Sequence, residues 1–191
     1  MDNWRAYLDQ HINVGMSTDC ELITELQNLL IQKIELKQTI FTFGNGGSAA
    51  TANHFSADLS LLGIRTGTNC RSINLNSDLS LGTAVANDIH YDSVIEEQLS
   101  ILAREGDLAV GFSASGNSKN IIRGLNKAVS MGLDSWAFVG FDGGAIYSLG
   151  EVKAIKFTSK KDYGLVENIH MSLSHYFIDN LVQYFIKNDR S

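Results

Sequence analysis

Five short apolar segments, at 38–43, 71–75, 107–112, 135–140 and 152–157, alternate with stretches of helical spacing at 48–61, 78–86, 91–104 and 117–131, with a shorter piece near 143–148. Strands separated by helices cannot pair as hairpins. They require right-handed crossovers and therefore a parallel sheet covered on both faces. Two helical stretches, 3–15 and 19–36, precede the first strand, with Ser17, Thr18 and Asp19 as capping residues between them, and a long helix at 164–187 closes the chain. No linker, repeat or low-complexity segment divides the 191 residues. An apolar content of 44% with 19% charged residues suits one domain with a sizeable core.

Two of the apolar segments end in a glycine- and serine-rich loop that opens into a helix. Thr39 to Phe43 runs into Gly44, Asn45, Gly46, Gly47 and Ser48, and Leu108 to Phe112 runs into Ser113, Ala114, Ser115, Gly116, Asn117 and Ser118. A helix N-terminus offers unpaired N–H groups and a partial positive charge, glycine keeps the approach open, and serine adds hydroxyl donors. Such residues also make ordinary turns, but the pattern occurs twice, which points to a phosphorylated ligand beyond the carboxyl ends of the strands. Gly44 to Ala49 also satisfies the dinucleotide fingerprint G-x-G-x-x-A. That fingerprint needs an acid about 20 residues on, whereas the second strand here ends in Asn76 and Ser77, and Asp78 lies more than 30 residues past Gly44. A nicotinamide or flavin role is therefore set aside.

Charge narrows the partners. A net charge of −6 without a run of Lys or Arg argues against nucleic acid and membrane surfaces, so an anion must be held by local donors. Cys20 and Cys70 stand alone, which gives no thiolate metal site and fits a reducing compartment. No basic region precedes an apolar stretch at the N-terminus and no run of 18 apolar residues occurs, so the expectation is a cytoplasmic protein.

The helix leaving the first loop carries His54 and Asp58, four residues apart and thus on one face. In the last helix Glu167 and His175 lie within about 80° of one another, while His170 is turned roughly 140° from His175 and is expected in the core or an interface. Spacing alone leaves each pair either a solvated face or part of a site.

The segment Phe43–Leu59, Ala86-Asn87-Asp88, Arg104-Glu105-Gly106-Asp107, Ser113–Ser118 and Glu167–Met171 together resemble the sugar-isomerase (SIS) domain of bacterial phosphoheptose isomerases, along nearly the whole chain. The resemblance implies a three-layer α/β/α, flavodoxin-like domain over residues 1–191 with a five-stranded parallel sheet, residues 1–36 packing in the oligomer, and a homotetramer with active sites shared between subunits. It implies isomerisation of sedoheptulose 7-phosphate to D-glycero-D-manno-heptose 7-phosphate, the entry to heptose for lipopolysaccharide or capsule. By the same resemblance Ser48, Ser113, Ser115 and Ser118, with Gly46, Gly47 and Ala114 in their loops, hold phosphate, and Asn45, Asp78, Asn87 and Asp88 reach the sugar. Asp58 falls on the catalytic base and His175 on the histidine that works with it. His54, Asp58, Glu167 and His175 fall on a zinc site, one Zn²⁺ per subunit, with Glu167 also facing substrate. Imidazole and carboxylate ligands suit that ion.

Departures from the family pattern are an aspartate for glutamate at Asp58, glutamate for glutamine at Glu167, Leu62 for an arginine that reaches a neighbouring site, Ala114 for a hydroxyl residue and Gly164 for a polar one. The same fold class includes a regulator of replication initiation that binds the initiator protein and lacks the histidine equivalent to His175. The alternative reading is therefore a non-catalytic protein that binds a phosphosugar or docks such a partner.

Overall fold

The computed structural model describes residues 3–188. Helices α1 (Asn3–Gly15) and α2 (Cys20–Glu35) are followed by β1 (Thr39–Gly44), α3 (Gly46–Thr66), β2 (Arg71–Asn74), α4 (Leu79–Asp88), α5 (Val94–Leu102), β3 (Leu108–Ser113), α6 (Lys119–Ser130), β4 (Asp134–Gly140), β5 (Lys153–Phe157) and α7 (Tyr163–Asn188). Single 3-10 turns sit at Tyr91–Ser93, before α5, and at Ile146–Ser148. The five strands form one parallel sheet in the order β2-β1-β3-β4-β5.

Side chains alternate across the sheet, as the two-residue strand period dictates. Ile40, Leu108, Val110, Phe112, Trp136, Phe138, Ile155 and Phe157 face α2, α3 and α7 in one core. Phe41, Phe43, Ala109, Ala137, Val139 and Ala154 face α5 and α6 in the other. The expected three-layer architecture is the one observed. α3 is longer than its apolar spacing at 48–61 suggests, because Leu62 and Thr66 continue the buried stripe until Gly67, with φ +72°, ends the helix. Cys20, exposed, and Cys70 are both free, and burial pushes the Cys70 thiol up to about 12. No helix among the described residues is long and apolar enough to cross a membrane.

Candidate active site

β1 and β3 are neighbours, with Gly44 level with Phe112, so the two serine loops open side by side. α3 leaves β1 toward one face and α6 leaves β3 toward the other, and the crevice at this reversal of strand order is where open α/β sheets bind ligands. A cavity of about 120 Å³ occupies it, lined by Asn45, Ser48, Ser113, Ala114, Ser115, Ser118, Phe112, Tyr163 and Glu167.

The loops are built to keep this space open. A side chain at Gly44 would lie 2.6 Å from the Ser48 carbonyl carbon and oxygen, and Gly116 has φ +64°. Asn76 clamps Gly44 from the adjacent strand end, accepting from its N–H and donating to its carbonyl, both at 3.0 Å. The Ser113 hydroxyl accepts from Gly116 N at 3.2 Å and the Ser115 hydroxyl from Asn117 N at 3.3 Å, which orients both serines.

Helix capping distinguishes α2 and α4 from these two starts; α5, whose N-cap Ser93 also makes no side-chain bond, follows directly on a 3-10 turn rather than on a loop. α2 and α4 are capped conventionally: Asp19 accepts from Glu21 N and Asp78 from Leu81 N. At α3 and α6 the N-cap residues Asn45 and Ser118 make no side-chain cap bond. Their first-turn N–H groups are therefore not taken up by the N-cap side chain. Asn45 is instead committed sideways. Its amide exchanges two 2.8 Å hydrogen bonds with Asn120 in the first turn of α6, and its oxygen also accepts from the Tyr91 hydroxyl at 2.8 Å. These bonds leave one Asn45 N–H uncommitted.

Farther along α3 a second cluster forms. His175 Nε2 lies 2.9 Å from His54 Nε2, which lies 3.2 Å from Asp58 Oδ2, and donor atoms of all three residues fall within 4.8 Å of one another. Two imidazole Nε2 atoms and a carboxylate aimed at one point make a chemically suitable zinc donor set. Ligands at about 2.1 Å in a tetrahedral site lie about 3.4 Å apart, so an ion would need His54 to move from His175 and from Asp58 by only a few tenths of an ångström.

Glu167 does not join them. α3 and α7 run side by side in the same direction, which pairs His54 with His175 and, two turns earlier, Gly47 with Glu167. The Glu167 carboxylate thus belongs to the serine cavity, and burial raises its pKa. Among the described residues the donor atoms that cluster are those of His54, Asp58 and His175, without Glu167. Other expected residues also go elsewhere. Asp78 caps α4 and lines a separate cavity of about 270 Å³. Asn87 and Asp88 bond to one another on the exposed end of α4, outside both cavities. Leu62 is wholly buried in the core, so packing claims this position, and the Ala114 methyl is buried with Phe141 and Val166. Gly164 lies within the first turn of α7. His170 is in the core, as its angle implies. Tyr163, Asn120 and Tyr91 were not anticipated; their roles depend on loops distant in sequence meeting in space.

Residues 3–140 match the family described as SIS domain. The chain is 32% identical to the phosphoheptose isomerase of Helicobacter pylori (strain P12) over 86% of its length and 85% of that protein's. It is 33% identical to that of Geotalea uraniireducens over 95% of its length and 96% of the relative's. The solved phosphoheptose isomerase of Neisseria gonorrhoeae superposes with a TM-score of 0.85 at 29% identity, covering 94% of this chain and 97% of that one. Fold and crevice place the protein in the SIS-domain class. Within that class, the chain belongs to the phosphoheptose isomerase family.

Proposed function

We propose that this protein interconverts sedoheptulose 7-phosphate and D-glycero-D-manno-heptose 7-phosphate through an enediolate, in the cytoplasm and as a single SIS domain. The observation that carries this reading is the separation of the two clusters. Ser48 in the cradle and His54 are six residues apart on one helix, about 9 Å at 1.5 Å per residue. An extended chain advances about 1.3 Å per bond, so the seven bonds from the phosphorus of a 7-phosphate to C2 span roughly 9 Å. A phosphate held by the serines therefore delivers C1 and C2 to the His54, Asp58 and His175 cluster.

The chemistry needs a base at carbon and groups that move protons between O1 and O2. Asp58 keeps one carboxylate oxygen on His54 and turns the other to take the C1 proton of the ketose and return it at C2. His175, held by His54, shuttles the hydroxyl protons. Zinc bound by His54, Asp58 and His175 would polarise the carbonyl as a Lewis acid. Phosphate binding at the far end fixes the reacting carbons against the base. Convergence of His175 with Asp58 supports the enzyme over the non-catalytic alternative.

A homotetramer with shared sites suits the surface of one protomer. Trp4, Leu8 and Ile12 on α1, followed by Met16, are exposed at four-residue intervals, an apolar stripe that a second subunit would cover. The exposed Asn87 and Asp88 would then serve a neighbouring site rather than their own.

Two measurements test the clusters separately. Ser115→Ala or Ser118→Ala should each remove a charge-assisted hydrogen bond worth roughly 1.5–3 kcal/mol and weaken sedoheptulose 7-phosphate binding more than tenfold, with unchanged thermal unfolding. Unaltered affinity in both would remove these loops from the site. Cobalt(II) titration should give the intense visible absorption of a four-coordinate site, abolished by His54→Ala and His175→Ala. A wild-type protein that takes up no cobalt or zinc would refute the metal assignment.

A further inference from the structure

Asn45 occupies the N-cap of α3 with the extended backbone usual there, φ −125° and ψ 148°, yet its side chain makes no cap bond. An asparagine in this place ordinarily accepts from the N–H of the second or third helical residue, here Gly47 or Ser48. Its oxygen is already taken. Both lone pairs are filled, one by the Asn120 amide and one by the Tyr91 hydroxyl, each at 2.8 Å, while the Asn45 amide donates one N–H back to Asn120 at 2.8 Å. Asn120 is 3% exposed and lies in the first turn of α6, so water does not compete for this grip. Asn45 therefore keeps a single N–H, and as a residue lining the serine cavity it can offer a ligand only a donor. Released, the same oxygen would turn onto its own helix and cover the N–H groups of Gly47 and Ser48.

We propose that Asn120 and Tyr91 are positioning residues for the phosphosugar: by holding the Asn45 oxygen they keep α3 uncapped and present Asn45 to the ligand as a donor. Neither lines the serine cavity, so both act through Asn45. This deepens the cradle reading and rests on it. The arrangement suits a ligand group made of acceptor oxygens, as a phosphate ester is, and it fastens the two helix starts of the cradle to one another through the Asn45–Asn120 pair.

Calorimetric titration with D-glucitol 6-phosphate, an open-chain polyol phosphate without a carbonyl, in the presence of a chelator, tests this without turnover or metal. Asn45→Ala loses the one N–H and should weaken binding about threefold. Tyr91→Phe, which deletes only the hydroxyl of a half-exposed ring, should do about the same and leaves folding out of question. Asn120→Leu frees the Asn45 oxygen to cap α3 and should weaken binding about tenfold or more. Adding Asn45→Ala to Asn120→Leu removes the released cap and should bring the affinity back to that of Asn45→Ala alone, a recovery that general damage to α6 would not show. In turnover of sedoheptulose 7-phosphate, Tyr91→Phe should raise KM by the factor seen in the titration, with kcat changed less than about twofold; a fall in kcat with KM unmoved would contradict the assignment. If Asn120→Leu and Tyr91→Phe cost as much in the Asn45→Ala protein as in the wild type while Ser115→Ala weakens binding, the cradle stands and the proposal is overturned. Tyr91→Phe alone decides this where Asn120→Leu does not fold. If neither Ser115→Ala nor Ser118→Ala weakens binding, the cradle reading itself falls and the proposal with it.

Discussion

Replacing Asp58 by asparagine should lower sedoheptulose 7-phosphate turnover by about 10²–10⁴-fold and abolish incorporation of solvent deuterium at carbon, because an amide cannot accept the proton. Binding of the phosphosugar should persist, since Ser48 in the cradle lies nearly three turns of α3 away. His175→Ala should slow turnover comparably with the same retention of binding. Lengthening the base is equally informative. Asp58 Oδ2 already reaches His54 at 3.2 Å, so the shorter side chain suffices here. Asp58→Glu adds about 1.5 Å and must displace either His54 or the carboxylate, at a cost on the order of a hundredfold in rate. Full activity in Asp58→Asn would remove Asp58 from the chemistry.

His170 should make the protein lose stability as the pH falls from 6.5 toward 4. Its ring is fully buried, with centroids 5.6–6.1 Å from those of Phe112, Phe138 and Phe157, and neither nitrogen has a hydrogen bond of good geometry. Burial lowers its pKa from 6.5 to about 4, partly offset by the Val139 carbonyl. The folded state thus keeps the ring neutral while the unfolded chain takes up a proton below 6.5, so stability is complete above that pH and drains away until the folded value is reached. Between pH 7 and pH 4.5 this amounts to about 2 kcal/mol. In urea denaturation, His170→Leu should show that much less loss over the same interval, on top of the carboxylate titrations common to both proteins. It should also gain stability at pH 7, because two unpartnered ring nitrogens leave the core. Equal losses in the two proteins would contradict this account of His170.

The sheet was legible in the sequence because each strand is a short apolar run bounded by turn residues, and because parallel crossovers leave few topologies open. The cradle was legible for a local reason: Gly44 to Ser48 and Ser113 to Ser118 each carry their chemistry within one loop. Residues whose roles come from two distant segments were harder to place. Asn120 reads as an ordinary helix residue until the two loops meet, when its amide pairs with Asn45. Glu167 and His175 are eight residues apart on one helix, which angular spacing treats as one face. Only the parallel packing of α7 against α3 sends the first to Gly47 and the serine cavity and the second to His54. Asp78 belongs to both kinds of reading: its position suggested a sugar contact, while its place before α4 made it a cap.

The central claim is that a phosphate held by the serines presents C1 and C2 of a heptose to Asp58 and His175. The most direct measurement incubates the purified protein, with and without zinc, with sedoheptulose 7-phosphate in deuterium oxide and follows the carbon-bound protons by NMR. The account predicts conversion to the aldose with deuterium entering at C2. Tight binding of the heptose phosphate with neither exchange nor conversion would contradict it and leave a phosphosugar-binding protein in its place.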